Sequence, residues 1–181
     1  MSDTLILIEI FGWIEVPLVW FLFKRYAKRN VLGEMAASCV FGIFFEVVSE
    51  PLWDYHMAVT FYRDTPVVAI TGWMVMFTLV VVMSEKLYRF ALREERIIPY
   101  DKRIVLSDIL AGIIVCLPLE TFGARTGVWT YRTELLKWNW DSLIPVFKVP
   151  YEVVWCYALL MLIAPTFVRY WAKSFERVSP E

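Results

Sequence analysis

The chain reads as five long apolar runs separated by polar segments, at roughly residues 4–23, 32–50, 66–84, 104–121 and 143–165. Each is near the ~20 residues that an α-helix needs to cross a ~30 Å hydrocarbon core. None repeats polar positions at helical period, as an amphipathic helix of a soluble bundle would. The pattern predicts an all-α, polytopic membrane helix bundle of about five spans, with residues 1–181 forming a single transmembrane domain. The start, Met1-Ser2-Asp3, lacks the basic segment of a secretory signal, so the first run is expected to stay as a helix.

The polar segments set an expected orientation. Lys24, Arg25, Lys28 and Arg29 follow the first run; Lys86, Arg89, Arg93, Arg96, Lys102 and Arg103 follow the third; Arg169, Lys173 and Arg177 close the chain. A five-span topology puts these thirteen on one side and Arg63, Arg125, Arg132 and Lys137 on the other. Basic loops stay in the cytoplasm. The N-terminus is therefore expected outside a cell membrane and the C-terminus in the cytoplasm. The outer loops, about 51–65 and 122–142, carry Trp53, Trp129, Trp138 and Trp140, which either sit at the headgroup level or fold over a cavity.

Composition agrees: 59% of residues are hydrophobic and the mean hydropathy is +0.56, too apolar for a soluble domain of this length. The formal net charge of −1 gives no reason to expect nucleic acid. Cys39, Cys116 and Cys156 all fall in apolar runs and read as small buried hydrophobes rather than a disulfide or metal set.

A weak internal repeat runs through the chain. Glu46 is followed by Trp53-Asp54-Tyr55, Pro66-Val67 and Trp73; Glu120 is followed by Trp129-Thr130-Tyr131, Pro145-Val146 and Trp155. The order in both is carboxylate, Trp-x-Tyr, Pro-Val at a span entry, then Trp inside the span. This predicts a duplicated helix–loop–helix unit, and repeat-built membrane proteins often place their site between the copies. Pro17 and Trp20 in the first run match the Pro–Trp order of these units and read as the remnant of a third copy.

Ionisable groups within spans cost ~2.5–3.5 kcal/mol each, so each needs a reason. The candidates are Glu9, Glu15, Glu46, Glu50, Asp108, Glu120, Lys148 and Glu152. At 1.5 Å per residue, Glu46 lies about 6 Å and Glu9 about 8 Å from the outer end of their spans, and Glu152 about 14 Å into the fifth. Glu120 is close to an outer end, whereas Asp108 is near the cytoplasmic end and is expected to face water or a loop. Lys148 and Glu152 are spaced i, i+4, which would set both on one helix face as a pair. Glu50, before Pro51, reads as structural. Glu15 is deep and has no partner in sequence. Glu46, Glu120 and Glu152 are the candidate acids, with structural pairing or snorkelled helix ends as the alternative for each.

Other chemistry is narrowed by what is missing. A single histidine, His56, cannot build a multi-histidine metal site, and it reads as a loop residue. There is no phosphate-binding glycine loop, nucleophile motif or Asp-rich magnesium motif, so no cofactor or metal is expected. Carboxyls beside aromatic walls remain. A carboxyl in an apolar cavity can hold its proton and act as a general acid, and aromatic faces stabilise a carbocation. The same elements also bind an apolar or cationic ligand without chemistry.

The stretch Gly127-Val128-Trp129-Thr130-Tyr131, Ile144-Pro145 and Val149-Pro150-Tyr151-Glu152 resembles the small membrane lycopene cyclases, with their Gly-x-Trp-x-aromatic turn and Pro-x-Glu-Glu helix. The unit from Glu46 through Trp53-Asp54-Tyr55 to Pro66 and Trp73 is similar to the membrane carotenoid hydratases, and membrane meroterpenoid cyclases are a fainter likeness. The resemblance implies cofactor-free, proton-initiated cyclase or hydratase chemistry on isoprenoids. It implies Glu46, Glu120 or Glu152 as acid, with Trp53, Tyr55, Trp73, Trp129, Tyr131, Trp155 and Lys148 around the substrate. The second glutamate of the family's pair is Val153 here, and Lys148 would engage Glu152, leaving Glu46 or Glu120 to serve. The competing readings are a non-enzymatic membrane subunit or lipid-like-ligand binder, homo- or hetero-oligomeric, and a small transporter.

Overall fold

The computed structural model describes residues 3–97, 101–132 and 143–176. Trp138 and Trp140 lie outside the described residues.

Five helices are each long and apolar enough to cross a membrane, and the chain is an integral membrane helix bundle. They are α1 (Asp3–Leu22), α2 (Leu32–Ser49), α3 (Val67–Leu92), α4 (Ile104–Thr126) and α5 (Tyr151–Glu176). A π-helical turn, Phe23–Ala27, extends α1 and ends at Lys28 in the left-handed region. Gly127, at φ 72°, ends α4 and returns its N–H to the Gly123 carbonyl. That conformation suits a residue without Cβ.

The first four spans match the predicted order, with α3 and α4 running further than their apolar cores. The fifth does not start at residue 143. Residues 143–150 form a short antiparallel hairpin, and α5 begins after Pro150. Pro145 and Pro150 disfavour helix at the residues before them, and Lys148 sits in the turn with φ 60°. The i, i+4 pair of Lys148 and Glu152 on one helix face therefore does not form. Lys148 is an exposed turn residue and Glu152 opens α5.

Helices α2, α3, α4 and α5 form a ring, α2 packing on α3 and α5, and α4 on α3 and α5. Phe77, Val80, Val81, Ala111, Met161, Ala164 and Val168 fill its centre. Helix α1 lies outside the ring, against α3. Its remaining faces are exposed and apolar, as a lipid-facing helix requires.

The predicted repeat is built as a local two-fold. Strands β1 (Trp53–Tyr55) and β4 (Trp129–Tyr131) pair antiparallel, with Trp53 opposite Tyr131, Asp54 opposite Thr130 and Tyr55 opposite Trp129. Each unit then adds a hairpin, β2 (Thr60–Tyr62) with β3 (Thr65–Pro66) in one and β5 (Leu143–Ile144) with β6 (Val149–Pro150) in the other. The hairpins end in the prolines that open α3 and α5. Pro66 thus corresponds to Pro150, not Pro145, and the residue seven places on is Trp73 in one unit and Tyr157, not Trp155, in the other. These small sheets mark one end of the bundle, called the sheet end below.

Candidate functional site

Alternation along a strand sends residues i and i+2 to the same face. In β1 that face carries Trp53 and Tyr55, and in β4 Trp129 and Tyr131. The intervening Asp54 turns away and pairs with Arg132 at 2.5 Å. Arg132 also reaches Asp64 at 3.3 Å. This polar rim holds the two strands over the ends of α2 and α4, where Glu46 and Glu120 sit.

Glu46 is 1% exposed and Glu120 7%. The Tyr55 hydroxyl donates to Glu46, 2.9 and 3.0 Å from its two oxygens, and the Trp73 indole N–H donates to Oε1. The Tyr131 hydroxyl donates to Glu120 Oε2 at 2.6 Å, and Tyr157 donates to Oε1. The two carboxyls are thus served alike: a tyrosine from the unit's own strand, and an aromatic donor seven residues beyond the helix-opening proline. Trp73 and Tyr157 stack across the local two-fold, centroids 6.2 Å apart, and Tyr55 meets Trp129 edge-on at 6.2 Å. Burial, and then the adjacent carboxylates, push the Tyr55 and Tyr131 hydroxyls well above the ordinary phenol range. Both stay hydrogen-bond donors at neutral pH.

Glycines make room for the aromatics. A Cβ on Gly123 would lie 2.0 Å from the Trp129 ring, and one on Gly42 would lie 2.6 Å from the Trp73 Cβ.

Beside the paired acids runs an apolar cavity of about 420 Å³, bounded by α1, α3 and α4. This is within the usual range for sites that hold small organic ligands. Glu46, Glu120, Trp53, Tyr55, Trp73, Trp129 and Tyr157 line the sheet end of it, and Glu15 is a third carboxyl on its α1 wall. No Lys, Arg or His is among the described residues lining it. The Trp129 indole N–H is buried without an acceptor at hydrogen-bond geometry, with Glu120 close by.

The site residues expected from sequence divide clearly. Glu46, Glu120, Trp53, Tyr55, Trp73 and Trp129 converge on the cavity, and Tyr131 supports Glu120 from its strand. Trp155 does not join them: it is 63% exposed, because the proline that sets the helix register is Pro150. Glu152 is buried with Oε2 unpartnered, but neither it nor Lys148 lines the cavity. One further cavity residue, Tyr157, is legible only afterwards, signalled by its distance from Pro150. Glu15, already notable in sequence as a deep carboxyl without a partner, proves to line the cavity near Thr71.

The other acids are accounted for elsewhere. Glu9 accepts the backbone N–H groups of Ala58 and Val59, at 3.1 and 2.7 Å, and so holds the loop after β1. Glu50 pairs with Arg63 at 2.8 Å. Asp108 does not face water: it is fully buried against Arg169, at 2.5 Å. Cys116 is buried as expected, whereas Cys156 is exposed. His56 is a loop residue, its N–H bonded to the Val128 carbonyl. Among the described residues no cluster of His, Cys, Asp and Glu is suited to hold a metal ion.

No protein-family model matches the chain, and neither a curated protein nor a solved structure matches it.

Proposed function

We propose that the protein is a membrane isoprenoid cyclase or hydratase in which Glu46 or Glu120 is the general acid. One observation carries the reading: two buried carboxyls, served by aromatic donors and by no base, share one apolar cavity with aromatic walls. Buried carboxylates without counter-ions are costly and are relieved by a proton or by a cationic occupant. A protonated carboxyl passes its proton to an alkene carbon, the π pair forming the new C–H bond. The resulting cation lies against the faces of Trp73, Trp129 and Tyr157. A second alkene of the same chain closes a ring onto it, or water adds. Loss of a proton then restores the acid, so no oxidant, metal or cofactor enters the balance.

The basic residues orient this arrangement. With twelve described basic residues toward the opposite end of the chain's helices or in the turns there, and Arg177 following them in the sequence, the sheet end and the N-terminus face outward and the C-terminus is cytoplasmic. An N-terminal epitope, accessible to antibody in intact cells, checks this.

The direct test is to compare isoprenoid extracts from cells expressing Glu46→Gln, Glu120→Gln or Glu152→Gln. Loss of general acid catalysis costs ~10²–10⁴-fold. Product should fall by that order in one of the first two and persist in the third. Unchanged product from both cavity variants would remove the assignment.

A second reading has its own observation in its favour. Each carboxyl already accepts hydrogen bonds from two aromatic donors, an arrangement that suits an anion and hence a cationic amphiphile held without reaction. Purified protein would then bind a long-chain quaternary ammonium compound, lose it in Glu46→Gln/Glu120→Gln, and give no new isoprenoid in cells.

A further inference from the structure

Glu120 and Tyr157 border a second hollow as well as the main cavity. It measures about 290 Å³ and lies between α4 and α5, where Gly112, Ile113, Cys116, Trp155, Ala158 and Met161 line it. Apart from Glu120, Tyr157 and the Trp155 indole N–H, the described side chains lining it carry no nitrogen or oxygen. Gly112 lets the two helices close on its floor: a Cβ there would fall 2.5 Å from Met161 Cγ. Ile113 is 53% exposed and Trp155 63%, so the hollow opens on faces that meet lipid. Glu120 and Tyr157, joined by a hydrogen bond, line both this hollow and the main cavity. Pro118, next to the lining residue Leu117 and two places from both Cys116 and Glu120, deprives α4 of a backbone hydrogen bond at this level.

We propose that the second hollow is another arm of the same site. One end of an extended isoprenoid hydrocarbon would fill the main cavity, and its other end would lie between α4 and α5, with interior carbons passing Glu120 and Tyr157. The inference rests on the isoprenoid reading above and narrows it to chains too long for the main cavity and lacking a polar group at the far end. A headgroup or diphosphate there would find no cationic partner among the described lining residues. Swinging the Tyr157 hydroxyl off Glu120 joins the two hollows and presents the acid to the middle of the chain.

Photo-labelling separates the outcomes. Full-length protein in phosphatidylcholine nanodiscs is irradiated with a farnesene or a squalene analogue, each with a terminal diazirine, with and without excess unlabelled squalene. Labelled residues are mapped by mass spectrometry. The short probe should label main-cavity residues such as Gly72 and Leu79. The long probe should also label Ile113 and Ala158 in a manner that squalene competes away. Ala158→Phe should reduce that second set roughly tenfold while farnesene labelling persists, which also shows that the variant folds. Ile113→Trp, at the lipid-facing rim, serves if it does not. Long-probe labelling confined to the main cavity, or labelling of Ile113 that neither squalene nor Ala158→Phe reduces, overturns the second arm and leaves the main site standing. Absence of competable labelling in both hollows overturns the isoprenoid reading as well.

Discussion

Two helices carry acids at both of their ends, and the ends treat them differently. Glu34 and Glu46 lie twelve residues apart on α2, and Asp108 and Glu120 twelve apart on α4. At the end away from the sheets, Glu34 pairs with Arg29 at 2.6 Å, and Arg29 also holds Glu85 at 2.7 Å. Arg169 grips both oxygens of Asp108, at 2.5 and 3.0 Å, and donates to Ser84 at 3.0 Å. Glu85 and Arg169 are themselves repeat partners, each nineteen residues beyond its helix-opening proline. The internal two-fold therefore ties α2, α3, α4 and α5 together with matched charge. At the sheet end the corresponding carboxyls meet, among the described residues, phenols and indoles in place of arginine. Acids answered by arginine hold the bundle together; acids answered by neutral donors keep their charge or proton available for an occupant.

The sharpest way to break this contrast is Arg169→Met. It leaves Asp108 buried and uncompensated, and removing one partner of a buried pair costs about 3–5 kcal/mol. Glu120→Gln, which keeps the shape and the polar contacts, should cost under about 1 kcal/mol. Unfolding by denaturant in detergent micelles compares the two, and equal losses would erase the distinction between the ends. Next in size is Tyr157→Phe, which removes one donor from Glu120 and should cost about 1.5–3 kcal/mol if that carboxyl is charged. A markedly smaller loss in the same assay would show a neutral, protonated Glu120.

The smallest effect belongs to the polar rim. The Arg132 guanidinium holds the Asp54 carboxyl below its ordinary range. A carboxylate with a lowered folded-state pKa adds stability that is present above its unfolded pKa and fades as pH falls through the folded one. Asp54→Asn should therefore lower stability slightly at neutral pH and flatten its acid-side dependence. No change in the acid limb of the stability profile would mean the rim is ornamental to the fold.

Much of this was open to reading in the chain. Run lengths define five spans, and the carboxylate, Trp-x-Tyr, proline order marks the duplication and picks out Glu46 and Glu120. The second unit was harder, because Pro145 and Pro150 both follow an apolar residue and both precede a run that reads as span. Choosing Pro145 turned Trp155 toward the site, whereas the chain bends into a hairpin and starts the helix at Tyr151, which brings in Tyr157. A shift of five residues rotates a helix face by well over a quarter turn, which turns Trp155 out of the site, while Lys148 falls in the turn before the helix.

By itself the sequence determined what must be buried in lipid and where the chain must turn, since hydrophobic length and proline chemistry act locally. Which acids receive a counter-ion was decided only in three dimensions. Arg29 reaches Glu85 from 56 positions away and Arg169 reaches Asp108 from 61, and Glu15, on a helix outside the duplicated ring, closes the wall of a cavity formed with α3 and α4. Electrostatic partnership depends on distance through space, and a linear pattern carries that information only where folding repeats itself.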